Sequence, residues 1–330
     1  MLNKRYANDG VAILKLNGIQ IDQKARIQAN IDTGRYSFEA IPCEICKGTN
    51  LEQLAEKDRY GLYLPVSICR DCGLILATPR MTDESYNHFY NDGHRRLYVG
   101  KETPDPSYFD ERYRAGKATF EYLSKHMNVS GMRILEVGCG SGAILKYLHD
   151  NGAIVKGIDL SREYLEYGRK KYGLDLSSTD LFELPDNHEF DLIIYSDVLE
   201  HILSPREHLE KIKRLLKTGG LLYIKVPGVK NIFRPYLGDF LKSLQNAHVY
   251  YYSLTTLRNL MNSCGFNLIQ GNENVQGLWE ISTGAPEQPT NDYADCMKLL
   301  RQTEKRVLTR KLLPVAAWCV KKLRQLISTN

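Results

Sequence analysis

From residue 132 to 285 the chain alternates between two hydrophobic periods. "RILEV" (133–137) is a short apolar run of the kind that forms a buried strand. "AILKYLHDNG" (143–152) spaces its apolar residues along one helical face and stops at Gly152. "AIVKGIDLS" (153–161) predicts a second strand, and "LDLSSTDLFELP" (174–185) a third strand and a loop. "FDLIIYSDVLEHI" (190–202) is a strong strand running into polar residues and then a helix. "HLEKIKRLLKTGGLLYIKVPG" (208–228) reads as an amphipathic helix, a Gly-Gly turn and another strand, and "SLTTLRNLMNSCGF" (253–266) as a further helix. Strands and helices in regular alternation predict an α/β, Rossmann-like sheet. Around this block the pattern divides the chain into an N-terminal extension (1–39), a cysteine-bearing module (40–80), a helical segment rich in Tyr and Arg (81–130), the α/β domain (131–285) and a basic helical tail (286–330).

Composition changes this picture in two places. Tyrosine is abundant, at 21 residues against 9 phenylalanines. A ring with a polar tip suits both strand surfaces and pockets for polyhydroxylated ligands. Net charge is +5, but residues 296–330 hold nine Lys or Arg against one acid, Glu304, so this tail carries +8 and the other 295 residues −3. The basic excess belongs to the tail, so no nucleic-acid-binding core is expected. No window of about 18 apolar residues occurs, and "MLNKRYANDG" lacks an apolar signal region, which places the chain in the cytoplasm.

Cys43, Cys46, Cys69 and Cys72 form "CEIC" and "CRDC", 22 residues apart. Two C-x-x-C knuckles offer four thiolates to one zinc ion. The strand-like "DRYGLYLPVSI" between them would return the second knuckle to the first, and Gly48 and Gly73 provide permissive backbone. Such a site is closed and structural, with no ligand position left for catalysis. The alternative is a pair of redox dithiols, against which two adjacent motifs without a thioredoxin-like context argue.

The glycine-rich "GCGSG" between the first strand and first helix lets backbone approach a ligand closely, and the helix that follows offers free N–H groups. Gly138, Gly140 and Ala143 also satisfy G-x-G-x-x-A, so an NAD-dependent oxidoreductase stays open at this point. Asp159, ending the second strand, is placed to accept from ribose hydroxyls.

Taken in order, "ILEVGCGSG", the acid after the next strand, "FDLIIYSDVLEHI" and "LLKTGGLLYIKVP" resemble class I S-adenosylmethionine-dependent methyltransferases. "SCGFNLIQGN" and "GLWEISTG" then correspond to the last two strands of that seven-stranded fold. The resemblance implies that Glu136 lies near the methionine amino group, that Gly138, Cys139 and Gly140 line the methionine portion, and that Asp159 binds the ribose. It implies further that Leu160 packs on adenine, that Asp180 and Leu181 meet the adenine edge, and that Ser196 lies near the methionine moiety. For Glu136 and Asp180 a capping or solvated carboxylate is the alternative. "CRDCGLILATPRMTDESYNHFYND" (69–92) resembles the zinc-binding module preceding this fold in methyltransferases of nucleotide-linked and surface-polysaccharide sugars.

Two histidines follow strands at the sheet edge where open α/β sheets bind ligands, His201 in "DVLEH" and His248 in "HVYYYS". Either suits a general base at neutral pH, and either could be a core histidine. The zinc-module sugar C-methyltransferases carry Tyr-x-Glu-His where this chain has "QNAH" (245–248). Loss of the tyrosine and glutamate argues against carbanion chemistry, so the reading is O-methylation of a nucleotide- or lipid-linked sugar, with C- or N-methylation as alternatives. Extended backbone over 248–252 would put His248, Tyr250 and Tyr252 on one face, Tyr250 being a candidate pocket residue. Tyr90, Tyr108 and Arg112, from the Tyr/Arg-rich segment, are the other acceptor candidates. The tail "KLLRQTEKRVLTRKLLPVAAWCVKKLRQLI" reads either as a helical pair, broken at Pro314, packed on the core or on a partner chain, or as an interfacial helix drawn to anionic lipid.

Overall fold

In a computed structural model the protein is described over residues 1–101 and 106–327, with side chains described up to Arg310 except that of Pro106. The N-terminal part begins with helix α1 (Gly18–Asp32). Strands β1 (Phe38–Glu39), β2 (Leu51–Lys57), β3 (Tyr63–Cys69), β4 (Ile75–Ala77) and β5 (Arg80–Met81) follow, then helices α2 (Asp83–Asn91), α3 (His94–Val99) and α4 (Pro106–Leu123).

The α/β domain runs β6 (Arg133–Val137), α5 (Ala143–Asp150), β7 (Ile154–Ile158), α6 (Arg162–Tyr172), β8 (Leu176–Ser177), β9 (Phe190–Ser196), α7 (Pro205–Leu215) and β10 (Leu216–Lys225). A short helix α8 (Phe233–Tyr236), strand β11 (Tyr250–Tyr251), helix α9 (Leu254–Ser263), the hairpin β12 (Phe266–Asn272) and β13 (Gln276–Ile281), and the long helix α10 (Tyr293–Ile327) complete the chain. The main sheet has the order β12-β13-β10-β9-β6-β7-β8. Strands from β10 to β8 pair in parallel, while β13 runs antiparallel to both β10 and β12. This is the predicted Rossmann-like sheet closed by an antiparallel hairpin. The parallel strands are buried on both faces, which is why their sequences read as unbroken apolar runs and not as alternation. The strand order reverses between β6 and β9, so the crevice at their C-terminal ends is the natural ligand site.

The second sheet, β11-β4-β3-β2, departs from the expected division into modules. Tyr250 and Tyr251 of the α/β domain pair with Leu76 and Ile75 of the cysteine-bearing module. The two parts therefore share a sheet, and the module's strands reach the same connection that carries His248.

The tail also departs from expectation. Its backbone is one helix that continues through Pro314, where a break was expected. A proline inside a helix removes one donor and can kink the axis without ending it. Over the described side chains, Cys296, Met297, Leu300, Thr303, Glu304 and Val307 are buried, in agreement with a tail packed on the core. Glu304 accepts from Arg5 and Tyr6 at 2.8 Å and anchors this helix to the N-terminus. Among the described residues no helix is long and apolar enough to cross a membrane.

Candidate active site

The glycine turn after β6 is built as the sequence predicts. Gly138 and Gly140 take left-handed φ of 70° and 56°, and a Cβ on Gly138 would sit 2.5 Å from Val198 Cγ2. Around Gly140 the same construction meets nothing within 4 Å, so the turn is open on one side. The N–H groups of Gly138 and Cys139 donate to Ile158 O, and Gly140 N–H donates to Asp159 Oδ2 at 2.8 Å. Asp159 Oδ1 accepts from Ser161 N–H at 2.7 Å and lies 3.5 Å from the Arg95 guanidinium, which stacks over Tyr164. Leu160 beside it is 72% exposed, an apolar side chain held at the rim of an open crevice.

Glu136 is buried at the end of β6, and its Oε2 has no hydrogen-bond partner among the described residues. Burial pushes its carboxyl up to about 8, opposed by the nearby Arg112 cation. Arg112 on α4 donates to Asp197 Oδ2 at 2.7 Å across the crevice, and Asp197 itself holds a left-handed φ of 59° directly after β9. Ser196 is buried with its Oγ unpartnered among the described residues. Orphaned buried polar atoms, open glycine backbone and an acid at the turn are the donor and acceptor set that an S-adenosylmethionine molecule, with its amino acid and ribose ends, would satisfy. Asp180 serves a local purpose: its carboxylate accepts from Phe182 N–H at 2.8 Å and caps the turn 181–183, as the capping alternative foresaw. Leu181 is buried behind it, while Phe182 is the exposed apolar group there.

The two histidines come together. His201 and His248 meet edge to face with centroids 4.7 Å apart. Between them lies a residue the sequence reading passed over, Glu200, 2% exposed with neither carboxylate oxygen hydrogen-bonded among the described residues. Its Oε1 is 3.7 Å from His201 Nε2 and 3.9 Å from His248 Nε2. "DVLEH" already displayed this acid, but a strand-end carboxylate beside a histidine carries no sign of which way it points. His201 Nδ1 is 2.8 Å from Ala247 O and 2.5 Å from the Tyr90 hydroxyl. A carbonyl only accepts, so Nδ1 carries the proton and Nε2 the lone pair. Burial lowers both imidazoles, His201 to about 4. Burial likewise raises the Glu200 carboxyl well above its usual range, aided by Asp197. His94, half-buried and also lowered, lies tilted against Tyr90 with ring centroids 4.7 Å apart and closes the cluster from α3.

Of the acceptor candidates, Tyr90 reaches this cluster, and Arg112 reaches Asp197 at its edge. Tyr108 packs edge-on against Tyr164 nearer Asp159, with centroids 5.8 Å apart. Tyr250 does not face the pocket. It is buried, donates to Leu203 O at 3.2 Å and packs on Tyr252. Pairing of β11 into the second sheet turns these two rings into the core, so Tyr251 takes the place near His248, at 5.7 Å between centroids. The alternation of Tyr250 and Tyr252 against Tyr251 was foreseen, but His248 sides with Tyr251, and Val249 with Tyr250 and Tyr252.

The four knuckle cysteines converge. Cys43 and Cys72 sulfurs are 3.4 Å apart, as are those of Cys46 and Cys69, and all four lie within 4.8 Å of one another. A tetrahedral zinc with sulfurs at about 2.3 Å would separate them by roughly 3.8 Å, so the set fits one ion. The hydrogen bond from Cys72 draws the Cys43 thiol down to about 6. In the first knuckle the left-handed residue is Lys47, φ 58°, rather than Gly48, whereas Gly73 takes φ 84° as anticipated.

Residues 108–271 match the family described as a methyltransferase domain. Curated relatives include a ubiquinone biosynthesis O-methyltransferase of Coxiella burnetii, 28% identical over 123 residues, which are 36% of this chain and 52% of that protein. Another of the same description, from Xylella fastidiosa, is 34% identical over 113 residues, 32% of this chain and 45% of its own length. The chain thus spans about half the length of the curated relatives it matches. Similar solved structures include a protein of Pyrococcus horikoshii, 19% identical, covering 52% of this chain and 91% of its own at a TM-score of 0.43. A SAM-dependent methyltransferase of Aquifex aeolicus is 21% identical over 54% of this chain and 97% of its own, at 0.41. The antiparallel strand β13 inside the sheet is foreign to the plain doubly wound dinucleotide order. Strand order, glycine turn, the acid that closes it and the family match agree, and residues 108–271 have the fold of an S-adenosylmethionine-dependent methyltransferase domain.

Proposed function

We propose that this protein transfers a methyl group to a hydroxyl of a nucleotide- or lipid-linked sugar. The observation that carries the O-methylation reading is the pair of buried Glu200 and half-buried His201, with a free imidazole lone pair, at the sheet edge beside the glycine turn. Bound S-adenosylmethionine supplies an electrophilic methyl carbon with a neutral thioether as leaving group. Gly138, Cys139 and Gly140 present backbone to its amino acid end, Glu136 pairs with the amine, and Asp159 accepts from the ribose. Leu160 covers the adenine. His201 Nε2 takes the proton of the acceptor hydroxyl, and the phenol of Tyr90 and the carbonyl of Ala247 hold that ring in orientation. A single base with alignment suffices for a hydroxyl, whereas carbanion formation needs enolate support that "QNAH" does not restore. Cys43, Cys46, Cys69 and Cys72 hold one structural zinc.

The sugar reading draws on the Tyr- and Arg-rich wall and on the resemblance of the cysteine module. A second reading, a phenolic hydroxyl of a quinone precursor, is favoured by the names of the curated relatives. Radiolabelled S-adenosylmethionine offered with a panel of nucleotide sugars and a panel of dihydroxybenzoates separates the two. Label in a sugar as a base-stable ether supports the first, label in the phenols alone supports the second, and label at carbon or nitrogen overturns O-methylation.

A further inference from the structure

The turn between β2 and β3 carries Arg59 into the interior, where it is 8% exposed. Its guanidinium lies over the Tyr60 ring at 4.9 Å and the Tyr98 ring at 5.5 Å. Nη2 donates to Gln245 Oε1 at 2.8 Å and to the Tyr60 hydroxyl at 2.9 Å, and Nη1 donates to Lys242 O at 3.3 Å. The same turn grips the segment in two more places. Arg59 N–H donates to Leu244 O, and Asp58 Oδ2 accepts from the Asn246 amide at 3.1 Å.

An arginine can only donate, so the Gln245 oxygen is committed to it. The amide nitrogen must then face the opposite way, and it lies 2.5 Å from His248 Nε2. An amide nitrogen also only donates, so His248 Nε2 accepts and its neutral ring carries the proton on Nδ1. His201 is arranged in the contrary sense of availability. Its Nδ1–H is given to Ala247 O, and no hydrogen bond to its Nε2 occurs among the described residues.

We infer that Arg59 is a positioning residue: through Gln245 it fixes the tautomer of His248 and occupies its Nε2, so that of these two histidines His201 is the one that presents an imidazole lone pair to the acceptor. The inference rests on the methyl-transfer reading for its catalytic meaning, but its structural content stands apart. His248 then acts as a neutral donor beside the acceptor, not as the base, and the cysteine-bearing module contributes to the active site through its hairpin turn. Gln245 also keeps a donor against Nε2, which disfavours a cation shared by Glu200, His201 and His248 although their ligand atoms lie within 4.8 Å of one another.

Nitrogen NMR of the chain with labelled histidine reads this directly. Among eight histidines, the His248 signals are those lost in His248→Gln. The expected wild-type result is protonation at Nδ1. In Gln245→Glu a carboxylate oxygen replaces the donor while keeping the pairing with Arg59, so the proton is expected to move to Nε2, with the His201 signals unmoved. Arg59→Met frees the amide to turn and is expected to give both tautomers, which provides the same reading should Gln245→Glu fail to fold. Wild-type protonation at Nε2, or a His248 tautomer indifferent to both substitutions, overturns the inference. Failure of the wild type to methylate any hydroxyl would remove the catalytic reading and leave the tautomer result intact.

Discussion

Gly140 donates its backbone N–H to Asp159 at 2.8 Å, so the acid proposed to hold the ribose also fastens the glycine turn. Removing this carboxylate takes away a turn constraint and, on the proposed cofactor placement, a ligand contact. Asp159→Ala is expected to weaken S-adenosylmethionine and S-adenosylhomocysteine about 10- to 100-fold, the loss of roughly 1.5–3 kcal/mol that a charged hydrogen bond carries. Calorimetric titration of both ligands checks it. Unchanged affinity would detach Asp159 from the cofactor.

The cysteine set leads to a second expectation. Zinc, if bound by Cys43, Cys46, Cys69 and Cys72, is expected at one ion per chain by elemental analysis. Loss of one ligand in Cys72→Ser should release it. Because β4 of the same module pairs with β11, release should also disturb the segment that holds His248. Thermal denaturation is expected to fall by several degrees, and chelation of the wild type should reproduce the shift. Full metal-free protein with unchanged melting would leave the four thiols as a redox or packing feature.

Much of the architecture was legible because buried parallel strands and glycine turns leave local signatures. "RILEVGCGSG" and "FDLIIYS" name their own structure. The cysteine knuckles were legible for the same reason, since ligand spacing is a short-range property. What could not be read was set by long-range pairing. His248 falls beside Tyr251 and not Tyr250 because β11 pairs with a strand about 175 residues earlier, and nothing in "HVYYYS" announces that partner. Arg59 is silent in sequence because its meaning lies in Gln245, 186 positions away. Glu200 was visible but unassigned, since only tertiary packing turns it between the two imidazoles.

The division of labour between the histidines gives a kinetic prediction. His201→Asn removes the free lone pair and is expected to lower kcat about 100-fold or more, the usual scale of a general base, with little change in cofactor affinity. His248→Gln retains a donor and should cost less than tenfold. Steady-state rates with one acceptor and calorimetric cofactor affinities separate the two effects. Equal losses in both variants would contradict unequal roles.

Glu136 makes the sign of a pH effect predictable. Its carboxyl stands at about 8 in the folded protein against an ordinary value of 4.5, raised first by burial and then by Asp159 and Asp197, and lowered by Arg112. The folded state therefore binds a proton that the unfolded chain has released across that interval. Linkage then makes this group's contribution to stability fall as pH rises from about 4.5 to about 8, and level off above. Pairing with the cofactor's ammonium reverses the preference, because a cation beside the carboxylate favours its charged form. Binding must then expel the proton, and cofactor affinity should climb with pH, by at most about tenfold per unit, until it levels near pH 8. Glu136→Gln should flatten the affinity profile and make the stability profile shallower, the raised carboxyls of Glu200 and Asp58 keeping their share of it. The isostere keeps the volume of the site while removing the titration, so denaturation and calorimetry over the same pH range distinguish this carboxyl from the histidines, whose lowered values act in the opposite sense by destabilising the fold as pH falls below their ordinary 6.5. An affinity that stays flat in the wild type would show that Glu136 is already ionised without the cofactor.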